Sequence, residues 1–263
     1  MKKTPALSII TVCFNEKEIK RTCESIVNQT FQDFEWIIID GGSNKDTLQT
    51  LEKYKKRASI FVSEKDTGIY NAMNKGIARA SGKWLLFMNG GDSFFEDTAL
   101  EKIFKNNGNV LQKADIIYCS AVFHEINNSG KITPRTVVFP KKPDLDFWSK
   151  DCLCHQTAFI KKELFDKFGP YSEEFKISGD LEKWLLFEKK GCKFKQLDNI
   201  VSNYYTDGIS AQNKELCDKE REIILDRYCK KDYKTIKTYR LFGFQVLRIQ
   251  KRYDGKGFRI RLF

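Results

Sequence analysis

Four short apolar runs in the first 95 residues, each separated from the next by helical periodicity, constrain the fold more than any other feature. "LSIITVC" (7–13) and "FEWIIID" (34–40) are rich in β-branched residues, "SIFVS" (59–63) is a shorter third run and "WLLFM" (84–88) a fourth. Between them, Ile19, Cys23, Ile26 and Val27 fall at helical spacing. Leu48 and Leu51 mark a second helical stretch, and Ile69, Met73, Ile77 and Ala80 an i, i+4 stripe. Strands alternating with helices at this spacing predict βαβ units, hence a parallel sheet with right-handed crossovers. The fold class is α/β, with a Rossmann-like, mostly parallel central sheet flanked by helices.

Each run breaks into polar residues at its carboxyl end. The clusters are "TVCFNE" (11–16), "DGGSNKDT" (40–47), "SEKDTGIYNAMNKG" (63–76) and "NGGD" (89–92). In an open α/β sheet such ends face one crevice, where ligands bind. The last cluster is the sharpest: a strand-like run turns into two glycines and a carboxylate, Asp92. Beyond residue 110 the rhythm changes. "DIIYCSAVF" (115–123) and "KITPRTVVF" (131–139) flank "NNSG" as a hairpin would, and residues 140–152 read as irregular. "HQTAFI" (155–160) reads as a strand, Ser178 as the cap of a helix over 178–190, 194–206 as extended chain and 213–231 as one more helix.

Composition narrows the function classes. Hydrophobic residues make up 41%, with 21 Phe and 4 Trp, enough for a core. No apolar run approaches the roughly 20 residues of a membrane span, and "ALSIITVCF" lacks a cleavage site, so a cytoplasmic protein is expected. The eight cysteines show no Cys-x-x-Cys pair and read as reduced thiols. From Lys230 onward 11 Lys/Arg face only Asp232 and Asp254, so nine of the eleven net positive charges lie in the C-terminal tail.

The stretches "SIITVCFNE", "IKRTCESIVNQTFQDFEWIIIDGGSNKDT", "SEKDTGIYNAMNKGIARASGKWLLFMNGGD" and "SGDLEKWLLF" resemble family 2 of the glycosyltransferases, of GT-A fold, in the bacterial surface-polysaccharide branch that includes colanic-acid transferases. The resemblance spans roughly residues 5–212, and 63–92 is its most specific part. It implies transfer of a sugar from a nucleoside-diphosphate donor, most often UDP-linked, to a hydroxyl of a glycan or lipid-linked glycan acceptor, with inversion. It also divides the chain into a catalytic domain, 1–212 (a nucleotide-binding half, 1–95, and an acceptor-binding half, 96–212), and a C-terminal part, 213–263, of a helix and a helical, basic, amphipathic tail.

Residue roles follow from the resemblance and stand beside plainer readings. Thr11, Asn15 and Glu16 would border the nucleoside, although Asn15-Glu16 can also start a helix. Asp40 would accept from the base, although an Asx turn before Gly41-Gly42 would satisfy it too. Asp66, Gly68, Asn74 and Lys75 would line the nucleoside pocket; Lys75 reads equally as a solvated lysine. Asp92, with Asn89, would hold the diphosphate through Mn²⁺ or Mg²⁺, the glycines bringing the diphosphate close to the backbone. The family usually offers Asp-x-Asp here, and this chain keeps one carboxylate. Asp180 would be the catalytic base, with Glu182 as rival and helix-dipole stabilisation as the plain alternative. His155 and Gln156, in "CLCHQTAF", would face the acceptor, or His155 would be structural. His124 reads as a surface residue, and "TDGIS" (206–210) as a mobile loop.

The tail, with its interleaved Leu, Ile and Phe, is expected to lie on an anionic membrane surface, the inner face of the plasma membrane; a solvated charged face is the alternative. A sugar nucleotidyltransferase would ordinarily carry a Gly-rich loop with Arg where "TVCFNEKE" stands. A non-catalytic nucleotide-sugar-binding protein stays open because the metal motif is reduced. A nucleic-acid binder would leave the first 229 residues unexplained, so no nucleic-acid partner is expected.

Overall fold

The computed structural model describes residues 3–126, 131–206, 208–229, 233–241, 244–252 and 258–262. The first four strands are β1 (Leu7–Cys13), β2 (Phe34–Asp40), β3 (Ile60–Ser63) and β4 (Trp84–Phe87), and they alternate with helices α1 (Ile19–Val27), α2 (Lys45–Tyr54) and α3 (Ile69–Arg79). All seven residues of β1 and all four of β4 are buried, as strands covered on both faces must be. The pairs β1–β2, β2–β3 and β1–β4 are parallel, in the order β3-β2-β1-β4. This is the βαβ half that the alternation predicts.

The next elements are β5 (Ser93–Phe94), α4 (Ala99–Phe104), α5 (Gly108–Lys113), β6 (Ile116–Ile126) and β7 (Ile132–Val137). They are followed by α6 (Leu145–Lys150), β8 (Ala158–Lys161), α7 (Lys162–Phe168), α8 (Gly179–Lys189), β9 (Phe194–Tyr205), α9 (Ile209–Gln212) and α10 (Lys214–Cys229). The sheet continues from β4 through β8, β6 and β9 to β5, with β7 paired to β6. β8 runs antiparallel to β4 and β6, whereas β9 runs parallel to β6. β5 starts only six residues after β4 ends, yet it pairs with β9 on the far side of β8 and β6. Segment 88–92 therefore crosses the ends of those strands, which puts "NGGD" over the middle of the sheet.

Two apolar layers cover the sheet. One joins Ile10, Ile37, Met73 and Phe87 to Trp184, Phe187 and Ile224, and the other joins Leu7, Trp36, Leu86 and Met88 to Leu100 and Phe159. Four tryptophans, Trp36, Trp84, Trp148 and Trp184, are at most 2% exposed and anchor these layers. α3 lies close against β1. The turn after it approaches the β1 backbone itself: a Cβ added at Gly82 would lie 2.6 Å from the Ser8 backbone nitrogen and 2.7 Å from the Leu7 carbonyl carbon.

Four sequence expectations change here. Of the strand expected over 155–160, residues 155–157 form a short 3₁₀ turn and the strand begins only at Ala158. Irregular segment 140–152 contains α6. Ser178 does not cap α8 with its side chain; its hydroxyl faces the Cys217 carbonyl at 3.4 Å. The basic tail is not helical: after α10, the described backbone forms the antiparallel strands β10 (Tyr233–Leu241), β11 (Phe244–Arg252) and β12 (Phe258–Leu262). A β-branched and aromatic composition outweighed the helical reading there. The "NNSG" turn, Asp207 of the "TDGIS" loop and the remaining tail residues lie outside the described residues. The helix at 213–231 is borne out as α10.

Because a Gly82 side chain would have to displace backbone, Gly82→Ala is expected to destabilise the protein by about 1–3 kcal/mol. Chemical denaturation read by tryptophan fluorescence checks this; an unchanged midpoint contradicts the packing.

Candidate active site

The turn after β4 is held from several sides. Gly90 N–H donates to the Val12 carbonyl at 2.9 Å and Asp92 N–H to the Asn89 carbonyl at 3.2 Å. From α1, Thr22 Oγ1 accepts from Gly91 N–H at 2.9 Å and donates to the Asp92 carbonyl at 2.6 Å. Arg21 donates through Nε, at 2.9 Å, and Nη2 to the Gly91 carbonyl, and its guanidinium stacks 3.5 Å over the Tyr205 ring. Gly91 needs to be glycine because its φ is +96°. Gly90 is a close approach, since a Cβ there would lie 2.9 Å from Cys13 Cβ and 3.1 Å from Glu16 Cγ. The glycines thus fit the turn against β1 and the Glu16 side chain.

Asp92 is 7% exposed. One oxygen accepts from Gln156 Nε2 at 2.7 Å and the other from Tyr205 N–H at 3.1 Å. Burial pushes its carboxyl up to about 6, opposed by these hydrogen bonds and by nearby His155 and Arg21. Asn89 Nδ2 lies 2.8 Å from His155 Nε2, so with the amide donating, Nε2 accepts and Nδ1–H faces Asp180 Oδ2 at 3.5 Å. Asp180 sits in the first turn of α8, where its Oδ1 accepts from Leu181 N–H at 2.8 Å and its own N–H donates to Tyr70 Oη at 3.1 Å. One chain of contacts therefore connects Asp92, Gln156, His155, Asn89 and Asp180, all placed by the sequence in candidate roles.

The oxygens suited to a cation lie at one end of that chain. Asn89 Oδ1 and Gln156 Oε1 are buried and have no hydrogen-bond partner. Together with the Asp92 carboxylate they are hard oxygen donors of the kind Mg²⁺ and Mn²⁺ take. Among the described residues no group of three or more His, Cys, Asp or Glu could hold a metal alone, so the remaining ligands would come from diphosphate and water.

The nucleoside candidates are placed less uniformly. Asn15, at φ +52°, bridges the loops after β1 and β2: Ser43 Oγ accepts its N–H at 2.8 Å, and Asn15 Oδ1 accepts Asn44 N–H at 2.7 Å. Phe14 beside it is 63% exposed at the strand end, a residue to which the sequence reading gave no role. Asp66 Oδ1 accepts Gly68 N–H at 3.0 Å, and its Oδ2 fills the space in front of Gly41, 2.3 Å from where a Cβ would be.

Asp40 is fully buried. It accepts from Gly42 and Ser43 N–H and from Ser63 Oγ at 2.7 Å, so its Asx-turn role is realised in the loop. Thr11 is also fully buried and accepts the Trp36 indole N–H at 2.9 Å. Asn74 uses both ends of its amide on the Tyr171 backbone, at 2.9 and 2.8 Å. Lys75 Nζ pairs with Glu64 at 2.9 Å and donates to the Lys65 carbonyl at 3.0 Å.

Glu182 points away from Asp180: it is 6% exposed and accepts from the Tyr228 hydroxyl of α10. His124 is half-buried rather than on the surface, stacked on Tyr205 at 4.4 Å and 2.9 Å from Asn203 Oδ1. Tyr70 was missed by the sequence reading. It lies inside "GIYNAMNKG", and its hydroxyl donates to the Ile177 carbonyl at 2.5 Å besides receiving Asp180 N–H. Its partners lie 107 and 110 residues away, and no local pattern announces them.

Comparison with known proteins bears on the family and the fold. The family model described as "Glycosyl transferase family 2" matches residues 8–169. A "PGL/p-HBAD biosynthesis glycosyltransferase" of Mycobacterium bovis (strain BCG / Pasteur 1173P2) is 29% identical over 182 residues, 67% of each chain. The solved structure of S. aureus TarS 1–349 superposes with a TM-score of 0.58 at 17% identity, over 85% of this chain and 66%, just under two thirds, of that chain. The mannosyltransferase PcManGT from Pyrobaculum calidifontis, solved with GDP-Man and Mn²⁺, gives 0.57 at 15% identity, over 76% of this chain and 57% of that one. The likeness to solved structures establishes the fold as that of these glycosyltransferases. The curated relative named above is mycobacterial, so the colanic-acid branch of the resemblance is not shown.

Between about pH 4 and 6 folded Asp92 keeps a proton that the unfolded chain has released, so raising the pH through that window lowers stability. Thermal unfolding of the ligand-free protein across it should show the melting temperature of wild type falling relative to Asp92→Asn. Parallel curves for the two proteins contradict a raised Asp92.

Proposed function

The chain belongs to glycosyl transferase family 2, and on that premise we propose an inverting transferase that moves a sugar from a UDP-linked donor to a hydroxyl of a glycan or lipid-linked glycan in bacterial surface-polysaccharide synthesis. The observation that carries this reading is the contact chain from Asp92 to Asp180 across the carboxyl ends of β4 and the start of β8. At one end, a carboxylate and two unpartnered amide oxygens suit a diphosphate-bound cation. At the other, the Asp180 carboxylate suits a base.

Inversion requires attack on the face opposite the leaving group, with a base to accept the acceptor's hydroxyl proton. Asp180 takes that role. Its Oδ2 stays oriented by His155 Nδ1–H, and its backbone is fixed by the Tyr70 hydroxyl. His155 is in turn oriented by Asn89, which stands at the diphosphate side. Asp92, Asn89 and Gln156 would hold Mn²⁺ or Mg²⁺, which when bound would stabilise the charge gained by the departing nucleoside diphosphate. Phe14, Asn15, Asp66 and Gly68 border the nucleoside, while Thr11, Asp40, Asn74 and Lys75 act beneath it by fixing the loops that carry these residues. The basic tail rests on an anionic leaflet, where each Lys or Arg near the surface contributes about 1 kcal/mol. No helix among the described residues is long and apolar enough to cross a membrane.

Calorimetric titration of UDP, with and without Mn²⁺ and with GDP as control, tests the donor site. Mn²⁺-dependent UDP binding that Asp92→Ala loses is expected. Binding indifferent to metal and to Asp92 would favour a non-catalytic nucleotide-sugar-binding protein instead. For the base, Asp180→Asn is expected to lower turnover on a panel of UDP-sugars by about 10²–10⁴-fold with UDP affinity retained; wild-type turnover in that variant removes Asp180 from the role. Deleting residues 232–263 should weaken sedimentation with anionic vesicles and leave turnover of a soluble acceptor intact. Undiminished sedimentation contradicts the membrane role of the tail.

A further inference from the structure

We propose that α10, which lies beyond the stretch matched by the family model, is part of the catalytic apparatus, with Glu220 and Arg221 as positioning residues for the His155–Asp180 pair. This rests on the reading of Asp180 as base.

Glu220 is 5% exposed, and its carboxylate accepts three successive backbone N–H groups, those of Lys176, Ile177 and Ser178, at 2.6, 2.9 and 2.8 Å. Three consecutive amides converging on one anion form a nest, a geometry that defines the backbone of the segment supplying them. That segment ends two residues before Asp180. Its opposite side is held as well, because Tyr70 donates to the Ile177 carbonyl and receives the N–H of Asp180. The approach to α8 is thus clamped between α3 and α10. Without Glu220, three amides beside a buried helix start would lose their acceptor, each at a cost in desolvation.

Arg221, the next residue, reaches a different segment. Its Nη1 donates to the Trp148 carbonyl at 2.9 Å and to the Asp151 carbonyl at 2.8 Å, just upstream of Cys152–His155. Successive helical residues point about 100° apart, so one turn of α10 can hold two segments on its two flanks. Those segments deliver His155 and Asp180, whose side chains meet at 3.5 Å. α10 therefore sets the mutual position of the two groups. The hydrogen bonds of Glu220 and Arg221 fall on 148–151 and 176–178 rather than on the ends of β1–β3, where the nucleoside would bind. Displacing a base by about 1 Å can cost about 10²-fold in rate, so the helix acts on the proton transfer rather than on donor binding.

The test uses the full chain and the variants Glu220→Gln, Arg221→Ala and Asp180→Asn. Glu220→Gln keeps the side-chain shape and one acceptor oxygen, so it is the variant chosen to fold. UDP affinity is read by calorimetry, and kcat and donor KM from UDP release with a UDP-sugar that wild type turns over. Glu220→Gln and Arg221→Ala are expected to lower kcat about 10-fold or more, with donor KM and UDP affinity within about twofold of wild type. Backbone hydrogen exchange is expected to rise over 176–183 in Glu220→Gln and over 148–157 in Arg221→Ala, with β1–β4 unchanged. An equal fall in UDP affinity and kcat would mean general loosening and overturns the proposal, as does wild-type kcat in both variants. Turnover that survives Asp180→Asn counts against the base assignment. Exchange needs no turnover, so wild-type exchange over 176–183 in Glu220→Gln overturns the positioning claim whatever the assay of the base gives.

Discussion

Burying a carboxylate is costly unless its oxygens are hydrogen-bonded, and Asp92 meets that requirement with donors from two distant parts of the chain. Gln156 reaches it from the segment leading into β8, and the Tyr205 N–H from the end of β9. Asp92 itself lies between β4 and β5, the two pieces of chain that tie the parallel half of the sheet to its far edge. The position of this one group therefore registers three strand ends against each other. α1 completes the arrangement, with Thr22 and Arg21 fixing the peptide groups on either side of the turn. A polar junction at this depth leaves Asn89 Oδ1 and Gln156 Oε1 without partners, a cost that a bound cation and diphosphate would relieve.

On the proposed reading, the two tasks of a glycosyl transfer separate spatially from that junction. The parallel half offers exposed and half-buried groups at the ends of β1–β3, carried on loops stiffened by Asp40, Asn15 and Asn44. The antiparallel half offers His155 and Asp180, carried on segments whose backbones are pinned by Tyr70, Glu220 and Arg221. Fixing the backbone around Asp180 lets its carboxylate stay partly accessible, with 18% of the side chain exposed, while its direction is still set. Glu182, two residues on, is held differently. It faces α10 and is committed to Tyr228.

What the sequence revealed and what it hid have the same physical origin. Buried parallel strands must be apolar throughout, so β1, β2 and β4 stood out as runs, and the polar residues after them stood out by contrast. The shift from "WLLFM" to "NGGD" marks the turn that carries Asp92, and Asp180 stands in the first turn of an apolar helix, as expected. The functional environment of a polar side chain depends on partners remote in sequence, and there local reading was less informative. Thr11 lies on a strand end, yet the Trp36 indole on the neighbouring strand turns it into a core contact. Asn74 lies on the expected helix face, but its amide is matched to the backbone of Tyr171, 97 residues away. Glu220 read as one charge among many on a polar helix, because the three amides it accepts belong to a loop some forty residues earlier. In the tail, alternating charge and bulky apolar residues fit a strand at least as well as a helix, and antiparallel pairing with its own neighbours decided between them.

The most direct measurement is a crystal of the full chain grown with UDP and Mn²⁺, with the metal located by its anomalous scattering. The arrangement described here predicts one peak bonded to an Asp92 oxygen, at about 2.0–2.2 Å as hard-cation ligation requires, with the diphosphate over residues 89–92 and the β-phosphate side facing the Asp180 carboxylate. UDP bound elsewhere, or bound at this turn with Asp92 still committed only to Gln156 and Tyr205 and no metal beside it, would contradict the assignment of this junction as the site of transfer.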